Sequence, residues 1–166
     1  MTEIKKVGKD SLQRIAELAK SIWPSAYKEV ISKEQIDYML ELMYSKKALN
    51  HQLENLQHQF IIAYKDGTPI GFAAYSPKIP EEKSLYRLHK LYISISLHGK
   101  GIGKKLIQYI IDDIKPNGAT HLELNVNRNN KAIGFYSKLG FEITRSELLD
   151  IGNNFFMDDY IMTLSL

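Results

Sequence analysis

The sequence predicts a mixed α/β fold, with a mostly antiparallel sheet of six or seven strands and helices on both faces. Apolar runs at 85–93 and 121–126 flank an amphipathic run that begins at Gly101. These three segments therefore form a βαβ unit, whose two strands are parallel. Hairpin patterns before and after this unit, at 60–75 and 141–164, add antiparallel strands.

The N-terminal quarter of the chain is predicted to be helical. An apolar stripe from Leu12 to Ala19 has helical spacing, and Pro24 is expected to end this first helix. Ser32, with Gln35 three residues later, is a capping pattern that predicts the start of a second helix. A third, short helix is expected near 46–55.

Two segments near the βαβ unit also have clear local patterns. Residues 77–83 contain two prolines and several charges, which predicts a loop. Residues 130–139 have helical spacing and are followed by Gly140, the residue type that most often ends a helix.

Composition excludes several classes of protein. The 166 residues suit one domain, expected to span 1–166, and the net charge of +3 is too mild to predict a nucleic-acid partner. The absence of cysteine excludes disulfides, thiolate nucleophiles and zinc-thiolate sites. No apolar run approaches the roughly 20 residues of a membrane span, and the N-terminus has no apolar signal segment, so we expect a cytoplasmic protein without membrane partners. The spacing of His51, His58 and His121 predicts no metal site.

The segment from His98 to Leu106 predicts a site for a phosphate-bearing ligand. It follows an apolar strand, contains Gly99, Gly101 and Gly103, and opens an amphipathic helix. A glycine bend lets backbone N–H groups converge, and the helix N-terminus adds unpaired N–H groups and partial positive charge. Leu106 breaks the G-x-G-x-x-G spacing of dinucleotide sites, and the G-x-x-x-x-G-K-[ST] spacing of a P-loop is also absent. The bend therefore points to another phosphate ligand.

A second segment, from Asn125 to Phe141, follows at the distance of one helix and one strand. It contains Asn130 before a helical run, Tyr136 within it, and Gly140-Phe141 at its end. Together the two segments resemble motifs A and B of the GNAT superfamily of acyl-CoA-dependent N-acetyltransferases. The resemblance is close over about 80–150. One departure is His98, which stands where motif A usually has Gln or Arg.

The resemblance implies the fold, the donor substrate and the residues that bind it. In this superfamily two central parallel strands splay apart, and the pantetheine arm of CoA enters the gap. The expected donor is acetyl-CoA, with no metal; the bend 98–103 would bind the pyrophosphate, and the backbone around 93–95 would bind pantetheine and polarise the thioester. The full set of expected CoA-binding residues is Leu91, Tyr92, Ile93, His98, Gly99, Lys100, Gly101, Ile102, Gly103, Lys104, Asn125, Asn130 and Tyr136.

Two residues are candidates for proton transfer. Tyr136 matches the family's tyrosine near the CoA sulfur, and a phenol can hold its proton at neutral pH and give it to a departing thiolate. Many family members carry a glutamate base on the strand before motif A, where this chain has Arg87, which cannot accept a proton. His89 is the nearest alternative, and alternation predicts that it shares a sheet face with Arg87 and Leu91. A water chain is the other candidate for the base.

Acceptor recognition is expected from the segment 22–40 and the C-terminal hairpin, which flank the cleft in this superfamily. The aromatic candidates are Trp23, Tyr27, Tyr38 and Tyr160, and the acids Asp158 and Asp159 lie beside the last of them. Aromatic walls with a nearby carboxylate suit a cationic amine.

The function predicted from the sequence is acetyl transfer to a primary amine by direct attack in a ternary complex. A small amine or polyamine is the first expectation for the acceptor, and a protein N-terminus or lysine is the second. The alternative is a non-catalytic acyl-CoA sensor, because Arg87 replaces the usual base. The aromatic C-terminal hairpin would present an edge through which a homodimer can form.

Overall fold

The computed structural model describes all 166 residues and contains seven strands and five α-helices. In chain order they are β1 (Thr2–Val7), α1 (Leu12–Tyr27), α2 (Lys33–Tyr44), α3 (Lys46–Glu54), β2 (Gln59–Lys65), β3 (Thr68–Ile79), β4 (Glu82–Ile93), α4 (Ile102–Ile114), β5 (His121–Asn127), α5 (Ala132–Lys138), β6 (Glu142–Gly152) and β7 (Phe155–Ser165).

All seven strands form one sheet, in the spatial order β1-β2-β3-β4-β5-β7-β6. Only β4 and β5 pair in parallel, and every other pairing is antiparallel. The predicted mixed α/β fold, with its βαβ unit and flanking hairpins, is confirmed. The edge strand β6 carries exposed Ile143 and Leu148; the homodimer through this hairpin stays a prediction.

The parallel pair β4–β5 opens into a gap. The two strands pair over only four positions, from Leu85–His121 to Leu88–Leu124, whereas β4 continues to Ile93 and β5 to Asn127. Beyond Leu88 the β5 edge of β4 therefore has no strand partner, and its backbone N–H and C=O groups are available to a ligand. This is the splay that the family resemblance implied, and we call it the β4–β5 gap.

The helices cover the sheet on both faces. On one face, which we call the α4 face, Leu106 and Ile110 of α4 and Tyr136 of α5 pack on sheet residues such as Leu88 and Leu124. On the other, which we call the α1 face, α1, α2 and α3 pack on β2 and β3, with a core that includes Ile15, Trp23, Met39, Leu49, Phe60 and Phe72. The β4–β5 gap lies between these two cores.

A β-bulge in β4 changes which side chains share a face. Ala74 pairs with Lys90 and Tyr75 pairs with Leu88, so His89 is an extra residue in β4. Alternation restarts after it: Leu88 and Leu91 both pack on the α4-face core, whereas the Lys90 ammonium lies over rings of the α1-face core. The expectation that His89 shares a face with both Arg87 and Leu91 is therefore wrong for Leu91.

Two other local predictions need correction. Pro24 lies inside α1, which continues to Tyr27. The apolar stripe also continues beyond Ala19, through Ile22 and Trp23, and because Pro24 is exposed the carbonyl that loses its helical partner can be hydrated. The predicted loop 77–83 is a short turn, because β3 and β4 pair as far as Ile79 and Glu82.

Other local predictions are confirmed. The Ser32 hydroxyl accepts a hydrogen bond from the Gln35 backbone N–H at 3.1 Å at the start of α2. Gly140 follows α5 with a φ of +101°, a conformation that favours glycine. As a separate observation, which tests none of these predictions, none of the five α-helices has the length and hydropathy of a membrane-spanning segment.

Candidate active site

The glycine bend connects the end of β4 to the N-terminus of α4. Gly99 and Gly101 have φ values of +78° and +79°, which only glycine adopts readily. Gly101 is the N-cap of α4 and no side chain caps this end of the helix. The first helical hydrogen bond runs from Lys105 N–H to the Gly101 carbonyl at 3.1 Å, so the N–H groups of 102–104 remain free for an anion.

The exposure of the bend fits a phosphate group. Residues 98–101 are exposed, as are the side chains of Lys104 and Lys105, whereas Ile102 is buried against the α4-face core. A β-carbon on Gly99 or Gly101 would meet no other atom within 4 Å. The space beside both residues is therefore open, and glycine is required there by the backbone conformation.

His98 has a structural contact that accounts for its place in the bend. Its Nε2 lies 2.9 Å from the Ile93 carbonyl oxygen, to which it donates. This hydrogen bond ties the bend to the last residue of β4. A histidine can therefore stand at a position where the family usually has Gln or Arg, because its side chain binds the protein's own backbone.

Gly103 is required for a different reason, the close packing of α4 on α5. A β-carbon at Gly103 would lie 2.8 Å from Cζ of Phe135 and 3.2 Å from Cδ1 of Ile93. Phe135 precedes Tyr136 on α5. The contact therefore links the phosphate-binding helix end to the helix that carries the predicted acid.

Tyr136 lies on the α4 face with 8% of its surface exposed. Its ring packs edge-on against Phe135 and Phe141, with centroid distances of 5.1 and 5.6 Å. Burial, with a smaller contribution from Tyr27, raises the pKa of Tyr136 above the usual phenol value. The hydroxyl is therefore protonated at neutral pH, as a proton donor must be.

Asn130 stabilises the turn that leads into α5. Its Oδ1 accepts a hydrogen bond from the Ala132 N–H at 2.8 Å, but the N-cap of α5 is Lys131 and no side chain caps this helix. The contact of Asn130 with CoA stays a prediction.

Aromatic residues from α1 and β4 meet on the α1 face beside the β4–β5 gap. The hydroxyls of Tyr27 and Tyr92 are 2.8 Å apart, and the ring of Trp23 lies 4.7 Å from Tyr27 and 5.4 Å from Tyr92. Burial raises the pKa of Tyr27 to about 12, although its hydrogen bond with Tyr92 lowers it. Trp23 is only 1% exposed, so it packs beneath the rings of Tyr27 and Tyr92 and cannot itself contact a ligand. Tyr27 is half-buried and is partly accessible at the surface.

The other two predicted acceptor residues lie elsewhere. Tyr38 donates to the Ile151 carbonyl at 2.6 Å and packs on Phe155 in the β6–β7 hairpin. Tyr160 packs on the α4-face core, and the Arg128 guanidinium lies 4.5 Å above its ring. The structure therefore groups Trp23 and Tyr27, leaves Tyr38 at the hairpin and puts Tyr160 on the opposite face.

His89 is held by contacts that make it a weak proton acceptor. Its Nε2 is 2.7 Å from the Ser76 hydroxyl, and its ring stacks on His58 at 3.8 Å. Burial lowers the pKa of His89 to about 2, and the neighbouring His58, Lys90 and Arg87 lower it further. The imidazole is neutral at physiological pH and binds a proton poorly.

A polar network spans the gap on the α1 face. The Arg87 guanidinium on β4 donates to Oδ1 of Asn125 on β5. The Asn125 amide in turn donates to Glu147 Oε2 at 3.2 Å and to Asp159 Oδ2 at 3.4 Å. Asn125 was expected among the CoA-binding residues, and here its side chain binds this network. Glu147 belongs to no motif in the sequence, although its position opposite Asp159 across the last hairpin was a usable signal.

A parallel strand pair that splays open, with a glycine bend and a free helix N-terminus at the end of its first strand, defines an acyl-CoA-binding fold. A family model described as acetyltransferase (GNAT) domain matches residues 27–157. The chain belongs to the GNAT acetyltransferase family, and acetyl-CoA is its acyl donor.

A relative and a solved structure, both from Thermoplasma acidophilum, match nearly the whole chain, and a further relative matches about two thirds of it. The spermidine N(1)-acetyltransferase of Thermoplasma acidophilum is 30% identical over 161 residues, which is 94% of this chain and 95% of the relative. The crystal structure of the PaiA N-acetyltransferase of Thermoplasma acidophilum in complex with coenzyme A superposes with a TM-score of 0.82 and 27% identity, over 100% and 99% of the two chains. A peptidyl-lysine N-acetyltransferase of Salmonella typhimurium, YjaB, is 32% identical over 63% of this chain and 70% of its own length.

Proposed function

We propose that the protein transfers the acetyl group of acetyl-CoA to a primary amine of a small cationic molecule, with a polyamine as the first candidate. The 30% identity to a spermidine acetyltransferase over almost the entire chain supports a polyamine. The carboxyl groups of Glu147 and Asp159, which border the β4–β5 gap, also suit a cationic acceptor.

The donor would bind along the bend and the free edge of β4. The exposed bend 98–101 and the free N–H groups of 102–104 supply donors for the pyrophosphate. The backbone of Leu91, Tyr92 and Ile93 pairs with β3 on one edge and has no strand on the other, where pantetheine amides can pair with it. This arrangement would aim the thioester through the gap toward the α1 face.

The reaction proceeds by direct attack within a ternary complex. The neutral amine attacks the thioester carbonyl carbon, the C–S bond breaks, and the thiolate leaves. Tyr136 gives the sulfur a proton, which its buried and protonated hydroxyl is suited to do. The observation that carries the proposal is the gap, with the free helix end at its mouth and Tyr136 on the α4 face.

A lysine side chain of a protein is the second candidate acceptor. The similarity to a peptidyl-lysine acetyltransferase supports it, because a lysine ammonium has the same chemistry as the end of a polyamine. Initial rates with spermidine and with lysine-containing peptides, at saturating acetyl-CoA, distinguish the two. A protein that binds acetyl-CoA and acetylates neither would be the sensor.

The variant Tyr136→Phe tests the chemistry. We expect kcat at saturating acetyl-CoA to fall by about 100-fold or more, because a positioned acid contributes a factor of that order. Tyr109→Phe on α4 is a matched control, because it also removes one phenol but lies away from the gap. An unchanged kcat for Tyr136→Phe would remove this residue from the mechanism.

A further inference from the structure

Asp159 is a buried carboxyl group with no cation beside it. The residue is 2% exposed, and none of the ion pairs of the protein involves Asp159 or Glu147. A buried carboxylate is costly unless a cation or several hydrogen bonds compensate it. The protein supplies one long hydrogen bond, from Asn125 at 3.4 Å. A compensating charge is therefore left for a ligand to provide.

The position of Asp159 is at the opened part of the sheet. The pairing of β5 with β4 ends at Leu124. Asp159 pairs with Asn127, which lies three residues further along β5. Its neighbour Tyr160 packs on the α4-face core and Met157 packs on the α1-face core, so alternation directs the Asp159 side chain to the α1 face. Asp159 and Tyr136 therefore lie on opposite faces of the sheet.

The groups around Asp159 leave it unneutralised. The Arg87 guanidinium donates to Asn125 and forms no ion pair with Asp159, so its charge acts on Asp159 only through space. Glu147 lies directly opposite Asp159 in the β6–β7 hairpin and repels it. Tyr27 contributes a neutral phenol from α1, and Asp158, on the same strand, is tied to Arg128 at 3.0 Å.

We infer that Asp159 is a further catalytic residue: it binds the ammonium group of the acceptor and accepts its proton before attack. This inference rests on the proposed transfer to a cationic amine. A proton moves from the ammonium nitrogen to a carboxylate oxygen, and the freed lone pair attacks the thioester carbon. The C–S bond breaks and Tyr136 gives the sulfur a proton. After attack the nitrogen still carries one excess proton, and it passes this proton through water to the Tyr136 phenolate. Asp159 then releases the proton that it took from the ammonium group to bulk water.

The environment of Asp159 favours proton acceptance. Burial is the largest influence and raises the pKa of this carboxyl, while the hydrogen bond from Asn125 lowers it. Glu147 and Asp158 raise the pKa and Arg87 lowers it. A carboxylate with a raised pKa is a better base than an exposed aspartate, and a bound ammonium would lose part of its own solvation at the same place.

Glu147 has a different part in the same site. It is half-buried and shares the Asn125 amide with Asp159. Two carboxylates on one face match a molecule with two or more ammonium groups, one at the reacting end and one further along. This charge pattern favours a polyamine over an acceptor with a single cation.

The test compares Asp159→Asn with Asp158→Asn. The first removes the buried charge at constant shape, and the second removes an exposed charge, 53% accessible, from the adjacent position of the strand. The rate of acetyl transfer to spermidine is measured from pH 6 to pH 10, with CoA affinity by calorimetry. We expect kcat/KM of Asp159→Asn to fall by about 100-fold at pH 7 and the deficit to shrink toward pH 10, where the acceptor is a free amine. CoA affinity should stay within about twofold for both variants, since the phosphate site is untouched.

The outcomes separate the two proposals. An Asp159→Asn enzyme with the wild-type rate and pH profile would overturn the inference and leave the proposed function intact. A wild-type protein that acetylates no amine would overturn both. Thermal unfolding of each variant checks that it keeps the fold. Asp159→Ser is a second uncharged variant, for which the same pH profile of acetyl transfer is measured. Asp158→Asn should keep kcat/KM at pH 7 close to the wild-type value, with only a slight change of the pH profile, because Asp158 makes the smallest contribution to the raised pKa of Asp159. A loss equal to that of Asp159→Asn would mean a general charge effect and would also overturn the inference.

Discussion

Lys90 is a buried cation on the α1 face, produced by the bulge at His89. It is 6% exposed, its ammonium donates to Gln52 Oε1 at 2.7 Å, and it lies 5.3 Å from the ring centre of Tyr44. Burial lowers the pKa of Lys90 to about 7. The folded protein therefore holds a charge that the unfolded chain solvates more easily, and this residue works against stability.

The variant Lys90→Met is expected to be more stable than the wild type. The folded pKa is lower than the unfolded value, so the penalty is full below pH 7 and disappears as the pH rises toward the unfolded pKa. We expect the free energy of unfolding to rise by about 1–3 kcal/mol at pH 6, and by less at pH 9. Urea unfolding at both values measures this, with exposed Lys20→Met as the control. A less stable Lys90→Met protein would show that the Gln52 contact outweighs burial.

Asp158 and Asp159 show that the identity of a residue does not reveal whether its side chain is buried in the site or exposed to solvent. Both are aspartates that directly precede Tyr160 as a pair, and in the sequence they are equal candidates for a contact with the acceptor. One is exposed and paired with Arg128, and the other is buried beside the gap without a cation. The difference arises because successive strand residues point to opposite faces, and only the packing shows which face contains the site.

At the level of elements, α4 and α5 act as one unit through Gly103. The close approach to Phe135 lets the helix that binds phosphate and the helix that carries Tyr136 pack directly together. A side chain at position 103 would push these helices apart. The spacing of the glycines identified the bend in the sequence, but the reason for the third glycine is a contact with a residue 32 positions away.

The variant Gly103→Ala tests this contact. We expect it to lower the free energy of unfolding by about 1–3 kcal/mol, as overpacking of a core does, and to lower kcat because Tyr136 adjoins Phe135. Gly134→Ala on α5 is the matched control: its β-carbon would meet no atom within 4 Å, so alanine should raise stability by up to about 1 kcal/mol. The double variant Gly103→Ala, Phe135→Leu should recover part of the loss. No recovery would mean that the contact with Ile93 dominates.

Element boundaries followed from the sequence where local chemistry decides them. The cap at Ser32 and the glycine after α5 are local signals, and both were confirmed. The predictions of a helix end at Pro24 and of a loop at 77–83 were wrong because tertiary packing outweighed these local signals. The apolar stripe of α1 continues to Trp23, and the β3–β4 ladder extends to Ile79. Local propensity is a weak influence when neighbouring segments bury an element.

At the scale of the whole molecule, stability should fall in mild acid. Burial lowers the pKa of His58 to about 4 and that of His89 to about 2. Both folded values lie below the unfolded value near 6.5, so the unfolded chain binds protons that the folded protein does not. The stability that neutral histidines provide is complete above pH 6.5 and is lost as the pH falls toward these folded values.

Urea unfolding between pH 7 and pH 5 measures this effect. We expect the free energy of unfolding to fall by about 3–4 kcal/mol over that interval, about half of it from each histidine, and the double variant His58→Gln, His89→Gln to show a smaller slope. His121→Gln, at an exposed position at the start of β5, should leave the slope unchanged. A flat profile for the wild type would mean that the stacked pair binds a proton in the folded state.

The sequence alone determined the order of helices and strands and the glycine bend at the N-terminus of α4. These depend on periodicity and on glycine conformation within a few residues, so the chain carries them locally. Tyr136 is the candidate acid because the segment around it resembles a GNAT motif, and its role stays a prediction. The tertiary structure decided where β4 and β5 separate, how the bulge at His89 redirects β4, and which aspartate is buried beside the gap. Those features depend on pairing and packing between distant segments, because a side chain faces the site only after the strands that carry it find their neighbours.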